Sequence, residues 1–311
     1  MYTLKTAPYL KTLRLKILFP TSKTTQKKHP QKSSFLTFKN PTHNAKTMCR
    51  MLYAQGIIDP SSLFQAITIM AKDQTMLHEH NHTTGRGTFQ HGDGWGLAYQ
   101  KNNHWTIEKS IHPIYQDTLI SPQLNTINTN RLLLHVRKTS GTSICLENTH
   151  PFYYNHPILG ELLFCHNGTI KNKIDFDQNQ FTPIGTTDTE QLFYAILTTA
   201  QTIPLPQAII HTLAKLTNLD ATNIILLTKN TTYIAVSPHT LSNYFSMSLG
   251  VNKTNKTNTN SIIISSEPIT HPKYAQYQWT TIPQNTFITI NEDNTYSIQK
   301  INLEQPQEIK M

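Results

Sequence analysis

Three cysteines in 311 residues are too few for a disulfide framework, and their odd number would leave one thiol unpaired in an oxidising compartment. Their scarcity predicts a reducing, cytoplasmic setting. Long apolar runs are missing too. Nothing approaches the roughly 18 residues of a membrane-spanning helix, and positions 15–19 are too short and interrupted for a secretory core, so no membrane partner is expected. Acidic residues are absent from the first 47 positions, which hold nine lysines and Arg14. Setting those ten charges aside leaves 17 basic against 18 acidic residues, so the formal charge of +9 belongs to this segment and not to the remainder. The remainder has no basic face interleaved with aromatics, and nucleic acid is not an expected partner.

The first 47 residues are rich in Lys, Thr and Pro, a composition expected to be disordered. They fit sequence upstream of a misplaced start, then a propeptide, then a transit-like leader. Patterned sequence begins at Thr47-Met48-Cys49-Arg50-Met51-Leu52, and residues 49–311 read as one domain without linker or repeat. If the active chain starts after Met48, Cys49 carries both a thiol and a free α-amine, a nucleophile and a base on one residue. Taken alone, Met48-Cys49 reads equally as part of an ordinary first strand.

Pro60-Ser61-Ser62 ahead of apolar residues at helical spacing predicts a helix over 63–70. Residues 94–99 and 105–107 predict a hairpin turning at Asn102-Asn103, and 131–137 and 161–166 predict buried strands. Thr187-Asp188-Thr189-Glu190 has capping-box spacing before a helix, and a second helix follows over 206–216. Hairpins over 223–236 and 287–301 and a strand at 261–265 complete the pattern. It predicts an α+β fold of antiparallel sheets with helices on their outer faces.

Cleaving an amide through Cys49 requires fixed donors for the developing oxyanion. His166-Asn167-Gly168-Thr169, directly after a predicted buried strand, offers the Asn167 side-chain amide and the Gly168 N–H, although the pair alone reads as an Asn-Gly turn. Arg137 can fork a carboxylate, or be a strand-end charge. Asp188 can accept from an ammonium, or simply favour a helix N-terminus.

Cys49-Arg50-Met51-Leu52, His91-Gly92-Asp93-Gly94-Trp95-Gly96, His135-Val136-Arg137-Lys138, Asn148-Thr149-His150-Pro151-Phe152, His166-Asn167-Gly168-Thr169 and Thr187-Asp188-Thr189-Glu190 occur in this order. So arranged, the chain resembles the class II glutamine amidotransferases of the N-terminal-nucleophile hydrolase superfamily. With Ser265-Ser266-Glu267-Pro268, it resembles their stand-alone branch of bacterial amidotransferases and γ-glutamyl amidohydrolases of ergothioneine biosynthesis and glutathione degradation. The resemblance implies a four-layer αββα sandwich of two stacked antiparallel sheets, with no cofactor and no metal. It implies Cys49 as nucleophile and its amine as base, with Asn167 and Gly168 as oxyanion hole. Arg137 and Asp188 would hold the α-carboxylate and α-ammonium of a small γ-glutamyl substrate, and Trp95 and His150 would shape the site; Cys165 departs from the family pattern, where a small residue is more familiar, and reads as a buried structural thiol. Ammonia would be released by hydrolysis or taken by a separate acceptor subunit.

A binder of nucleic acid or of an anionic surface through the basic first 47 residues is one competing reading, and two more stand beside it. His78-Glu79-His80-Asn81-His82 places three imidazoles on one side of an extended segment, which suits a non-catalytic metal-binding protein. A scaffold without activity is the other, against which stands the presence of all four proposed chemical groups.

Overall fold

The computed structural model describes residues 49–75, 89–118, 120–139, 141–217, 219–237, 245–253 and 259–303. These fall in the compact unit Ala45–Met311. The expectation for residues 1–47 and the His78–His82 motif lie outside the described residues.

The apolar run after Cys49 forms β1 (Arg50–Gly56), which pairs antiparallel with β4 (Arg131–Val136) on one side and β10 (Thr259–Ser265) on the other. Leu52 lies opposite Leu134 and Ser265. Seven strands make this first sheet, in the order β11 (Gln278–Thr281), β9 (Ser248–Lys253), β10, β1, β4, β2 (Trp95–Lys101), β3 (His104–Ser110). The second sheet has six, in the order β13 (Tyr296–Lys300), β12 (Thr286–Asn291), β8 (Thr231–Val236), β7 (Leu219–Leu227), β6 (Gly160–Ile170), β5 (Phe152–His156). Every described pairing is antiparallel.

Strand alternation sorts side chains into three apolar layers. Leu52 and Ala54 of β1 face helix α1 (Pro60–Ala71), packing with Leu63, Phe64 and Ile67, and Leu124 of the short helix α2 (Ser121–Leu124) joins this layer. Asp59 caps that helix by accepting from Ser61 N at 3.2 Å, and Pro60 fits its first turn. Met51 and Tyr53 face the other way, meeting Leu163, Cys165, Ile225 and Ile234 of the second sheet. The far face of that sheet, including Leu162, Phe164 and Ile224, packs against α3 (Asp188–Thr199) and α4 (Leu205–Ala214). Each buried Leu or Ile contributes about 1.5–3 kcal/mol. The order of layers is therefore α, β, β, α, the sandwich that the resemblance implies.

One end of the inter-sheet layer is closed by a polar network. Arg131, opposite Gln55, stacks 5.1 Å from the Trp105 ring centroid and donates from Nε to Tyr53 Oη and from Nη2 to Thr232 Oγ1. Its Nη1 donates to the Thr228 and Lys229 carbonyls. Cys49, His135 and Arg137 lie at the other end of β1 and β4.

Several local expectations need correction. Asn167-Gly168 neither follows its strand nor makes a turn. Both lie inside β6, opposite Asn223 and Thr222 of β7, with a register shift between Gly168 and Ile170. The capping box is half made. Thr187 Oγ1 accepts from Glu190 N at 3.2 Å, but the Glu190 carboxylate turns back to the N–H groups of Ile184 and Gly185 at 2.9 and 2.8 Å. Strands β5, β9 and β11 were not anticipated, because two are short edge strands and the third is interrupted by Gly250, over whose backbone the Trp279 ring packs.

Candidate active site

The site forms where β1, β4 and β6 end beside one another. Strand alternation places Cys49, His135 and Asn167 on the inter-sheet face with Met51, Leu133 and Cys165. The Cys49 backbone nitrogen donates to Asn167 Oδ1 at 3.0 Å. Asn167 is fully buried, and its Nδ2 has no hydrogen-bond partner. A buried donor left unpaired costs about 1–3 kcal/mol, so its retention beside a thiol marks a place for an incoming acceptor. Gly168 is required by contact: a Cβ there would lie 1.9 Å from the Ala221 carbonyl oxygen and 2.7 Å from His166 Nε2.

The Cys49 thiol donates to the Lys138 carbonyl at 3.8 Å. Burial pushes its pKa up to about 11, opposed by the Lys138 contact and by the positive charge of Arg137, and reinforced by Asp188. At neutral pH it is a thiol, so attack on a carbonyl requires a base. No imidazole or carboxylate hydrogen-bonds the sulfur among the described residues.

Arg137 leaves the end of β4 with its backbone N–H on the Gly94 carbonyl at 2.8 Å. Its buried guanidinium donates from Nη1 to the Ser143 carbonyl at 3.1 Å and from Nη2 to Thr142 Oγ1 at 2.6 Å and Thr139 Oγ1 at 3.4 Å. All these acceptors are neutral. A buried cation bonded, among the described residues, to neutral oxygens can take an anionic ligand.

Asp188 stands in the first turn of α3. Its Oδ2 accepts from Ile170 N and its Oδ1 from Thr189 N, at 2.7 and 2.8 Å. The carboxylate thus ties β6 to α3 and still contributes negative potential at the Cys49 thiol. Asn148, whose role the sequence did not reveal, links the two charged groups. Its Nδ2 donates to the same Ser143 carbonyl that Arg137 uses, and its Oδ1 accepts from Thr186 N, two residues before Asp188.

His150 is buried against His135 with ring centroids 4.0 Å apart, and burial holds its pKa well below the usual histidine range. His135 is lowered to about 3 by burial and by Arg137. Both rings are neutral. Trp95 is not brought to the site: it lies on the α1 side of the first sheet, 5.7 Å edge-on to Phe64, because it shares the facing of its neighbour Val136. Cys165 is fully buried on the inter-sheet face, with its pKa raised by burial, as befits an unreactive thiol. No cluster of three or more metal-ligating side chains occurs among the described residues.

Arg50 and Glu267 stand in the motifs that carry the resemblance, although the sequence assigns neither of them a role. Arg50 Nε donates to Glu267 Oε1 at 2.8 Å, and its Nη1 donates to the Cys49 carbonyl at 3.3 Å.

Comparison with known proteins follows this geometry. Residues 68–309 match the family described as "Glutamine amidotransferases class-II". A stretch of 115 residues is 29% identical to the Escherichia coli protein named "Putative glutamine amidotransferase YafJ", covering 36% of this chain and 44% of that one. A stretch of 109 residues is 33% identical to a Haemophilus influenzae protein given the same description, covering 33% of this chain and 35% of that one. The chain thus spans less than half the length of these curated relatives. Among solved structures, the glutamine phosphoribosylpyrophosphate amidotransferase of Bacillus subtilis superposes with a TM-score of 0.60 at 17% identity, over 83% of this chain and 50% of that one. A glutamine aminotransferase class-II domain protein from Silicibacter pomeroyi gives 0.51 at 16% identity, over 81% of this chain and 99% of that one. These neighbours share the N-terminal-nucleophile hydrolase fold, and the match over 68–309 establishes that the chain belongs to the class II glutamine amidotransferases.

Proposed function

We propose that the protein hydrolyses the γ-amide of glutamine or of a larger γ-glutamyl compound through a thioester on Cys49, acting as the first residue of the active chain. The observation that carries this reading is the Asn167 side chain, which accepts from the Cys49 nitrogen at 3.0 Å and keeps Nδ2 buried and unpaired beside the thiol. In this arrangement the free α-amine takes the thiol proton as sulfur attacks the γ-carbonyl carbon. The oxyanion receives hydrogen bonds from Asn167 Nδ2 and the Gly168 N–H. Collapse expels the γ-nitrogen, which takes the proton from the Cys49 α-ammonium and leaves as ammonia from glutamine or as an amine from a larger γ-glutamyl compound. Water, losing a proton to the Cys49 α-amine, then attacks the thioester carbonyl, and collapse breaks the C–S bond, freeing glutamate while the sulfur takes that proton back as the thiol.

Arg137 takes the substrate α-carboxylate, which would supply the anion its neutral acceptors lack. Asp188 takes the α-ammonium on the lone pairs not used by Ile170 and Thr189. His150 fixes the floor through His135, and no cofactor enters the chemistry. Three free thiols fit cytoplasmic residence, and no described helix is long and apolar enough to cross a membrane. Ammonia is released to solvent, a separate acceptor subunit being the other outcome to look for.

The test compares full-length protein with protein starting at Met48, whose N-termini are read by intact mass. Only chains beginning at Cys49 should release glutamate from glutamine, glutathione or other γ-glutamyl amides, and Cys49→Ala should abolish the thioester. Full activity in protein retaining residues 1–48 would overturn the role of the α-amine.

A further inference from the structure

We infer that Arg50, locked by Glu267, is a positioning residue that fixes the nucleophile through the carbonyl of Cys49. This rests on the reading of Cys49 as an N-terminal nucleophile. A residue at the start of a chain is held covalently from one side only. Cys49 precedes the first ladder residue, Arg50, so sheet pairing does not fix it. Among the described residues it makes instead three hydrogen bonds: the nitrogen to Asn167 Oδ1, the thiol to the Lys138 carbonyl, and the carbonyl from Arg50 Nη1. The first two involve groups that must change partners or protonation during attack. The third alone can stay constant throughout the reaction.

The surroundings of Arg50 make that contact rigid. Arg50 and Glu267 are both buried, and they bond at 2.8 Å. Ser266, next to Glu267, continues the β1–β10 ladder: its hydroxyl accepts from Met51 N at 3.0 Å and its N–H donates to the Met51 carbonyl at 2.9 Å. The pair and the ladder therefore hold the Cys49–Met51 backbone from one short segment. Glu267 Oε2 has no partner, so the carboxylate is directed at the guanidinium alone. A misplacement of about 1 Å at a reacting group costs about a hundredfold in rate.

The variants Arg50→Lys and Arg50→Met with Glu267→Met separate positioning from mere stability. Lysine keeps the cation but cannot bond the carboxylate and the Cys49 carbonyl through a planar fork. The double variant removes the buried charges together. Full chains are expressed, their mature N-termini determined by mass, and the folded fraction measured by circular dichroism. At least a tenfold loss of kcat per folded molecule is expected in each, with KM within twofold of the parent. Iodoacetamide labelling of Cys49 in Arg50→Lys, followed by peptide mass, should accelerate at least tenfold as the residue swings free. Activity lost only in proportion to folded protein, with unchanged labelling, would overturn the inference. If the parent hydrolyses no γ-glutamyl donor, the proposed function fails, and labelling alone decides the positioning role.

Discussion

Asn167 accepts from the Cys49 nitrogen through Oδ1 and, by that bond, is oriented with Nδ2 on its other edge, buried and unpaired. One amide thereby addresses both the base and the developing oxyanion of the proposed reaction. Asn167→Ala should lower kcat by about 10²–10³, the usual cost of one oxyanion donor, with the fold retained. Asn167→Asp should be at least as damaging, since its second oxygen cannot donate. Steady-state kinetics with glutamate detection checks both, and an effect confined to KM would reassign Asn167 to substrate binding.

Arg137→Ala should cut kcat/KM by roughly ten- to a hundredfold or more, since a charge-assisted hydrogen bond contributes about 1.5–3 kcal/mol. Asp188 needs a gentler change, because its carboxylate also ties Ile170 to the first turn of α3. Asp188→Asn retains one acceptor and should fold, yet lose a comparable factor. Parent-like kcat/KM in both variants would remove these residues from substrate recognition.

Burial holds the Cys49 thiol near a pKa of about 11. In the full-length chain its alkylation should therefore be slow at pH 8, with about one molecule in a thousand as thiolate, and should rise about tenfold per pH unit up to that value. Peptide-resolved alkylation against pH measures it. A plateau already reached near pH 8.5 would show an unburied thiol.

Lys109 sits part-buried over the Phe152 ring, 5.6 Å from its centroid, and burial lowers its pKa to about 8. Because the folded value lies below the unfolded value of about 10.4, the unfolded chain binds more protons between those limits, and stability rises with pH across that window. Below pH 8 the cost of the buried charge is fully present. Lys109→Met should therefore stabilise the fold at pH 7 by about 1–3 kcal/mol, and the gain should fade above pH 10. Paired denaturant titrations at the two pH values give the comparison.

Much of the scaffold is legible in the sequence because its signals are local. The apolar runs at 131–136 and 161–165 are strands buried on both faces, and Asn102-Asn103 takes the positive φ angles, 52° and 63°, of a tight hairpin turn. Asn167-Gly168 misleads for a tertiary reason: Ala221 passes so close that only glycine fits within the strand, which overrides the turn preference of the pair. Trp95 stands in a motif beside the site, yet strand alternation turns it to the opposite face. Arg50 with Glu267, and Asn148 with Thr186, meet across 217 and 38 residues, and no periodicity carries such pairings.

Strand β1, which follows Cys49, has neighbours on both sides, β4 and β10, and these have β2 and β9 beyond them. Amides in the middle of such a strand exchange with solvent only when the whole sheet opens. Met51 to Ala54 should accordingly be among the last protons lost in native-state exchange, and binding of a substrate should slow them little further. The end of β1 that carries Cys49 is thus organised when the chain folds, and the proposed release of Cys49 would work beside a sheet already set. The proposed maturation and turnover would then act on a template that does not need to rearrange.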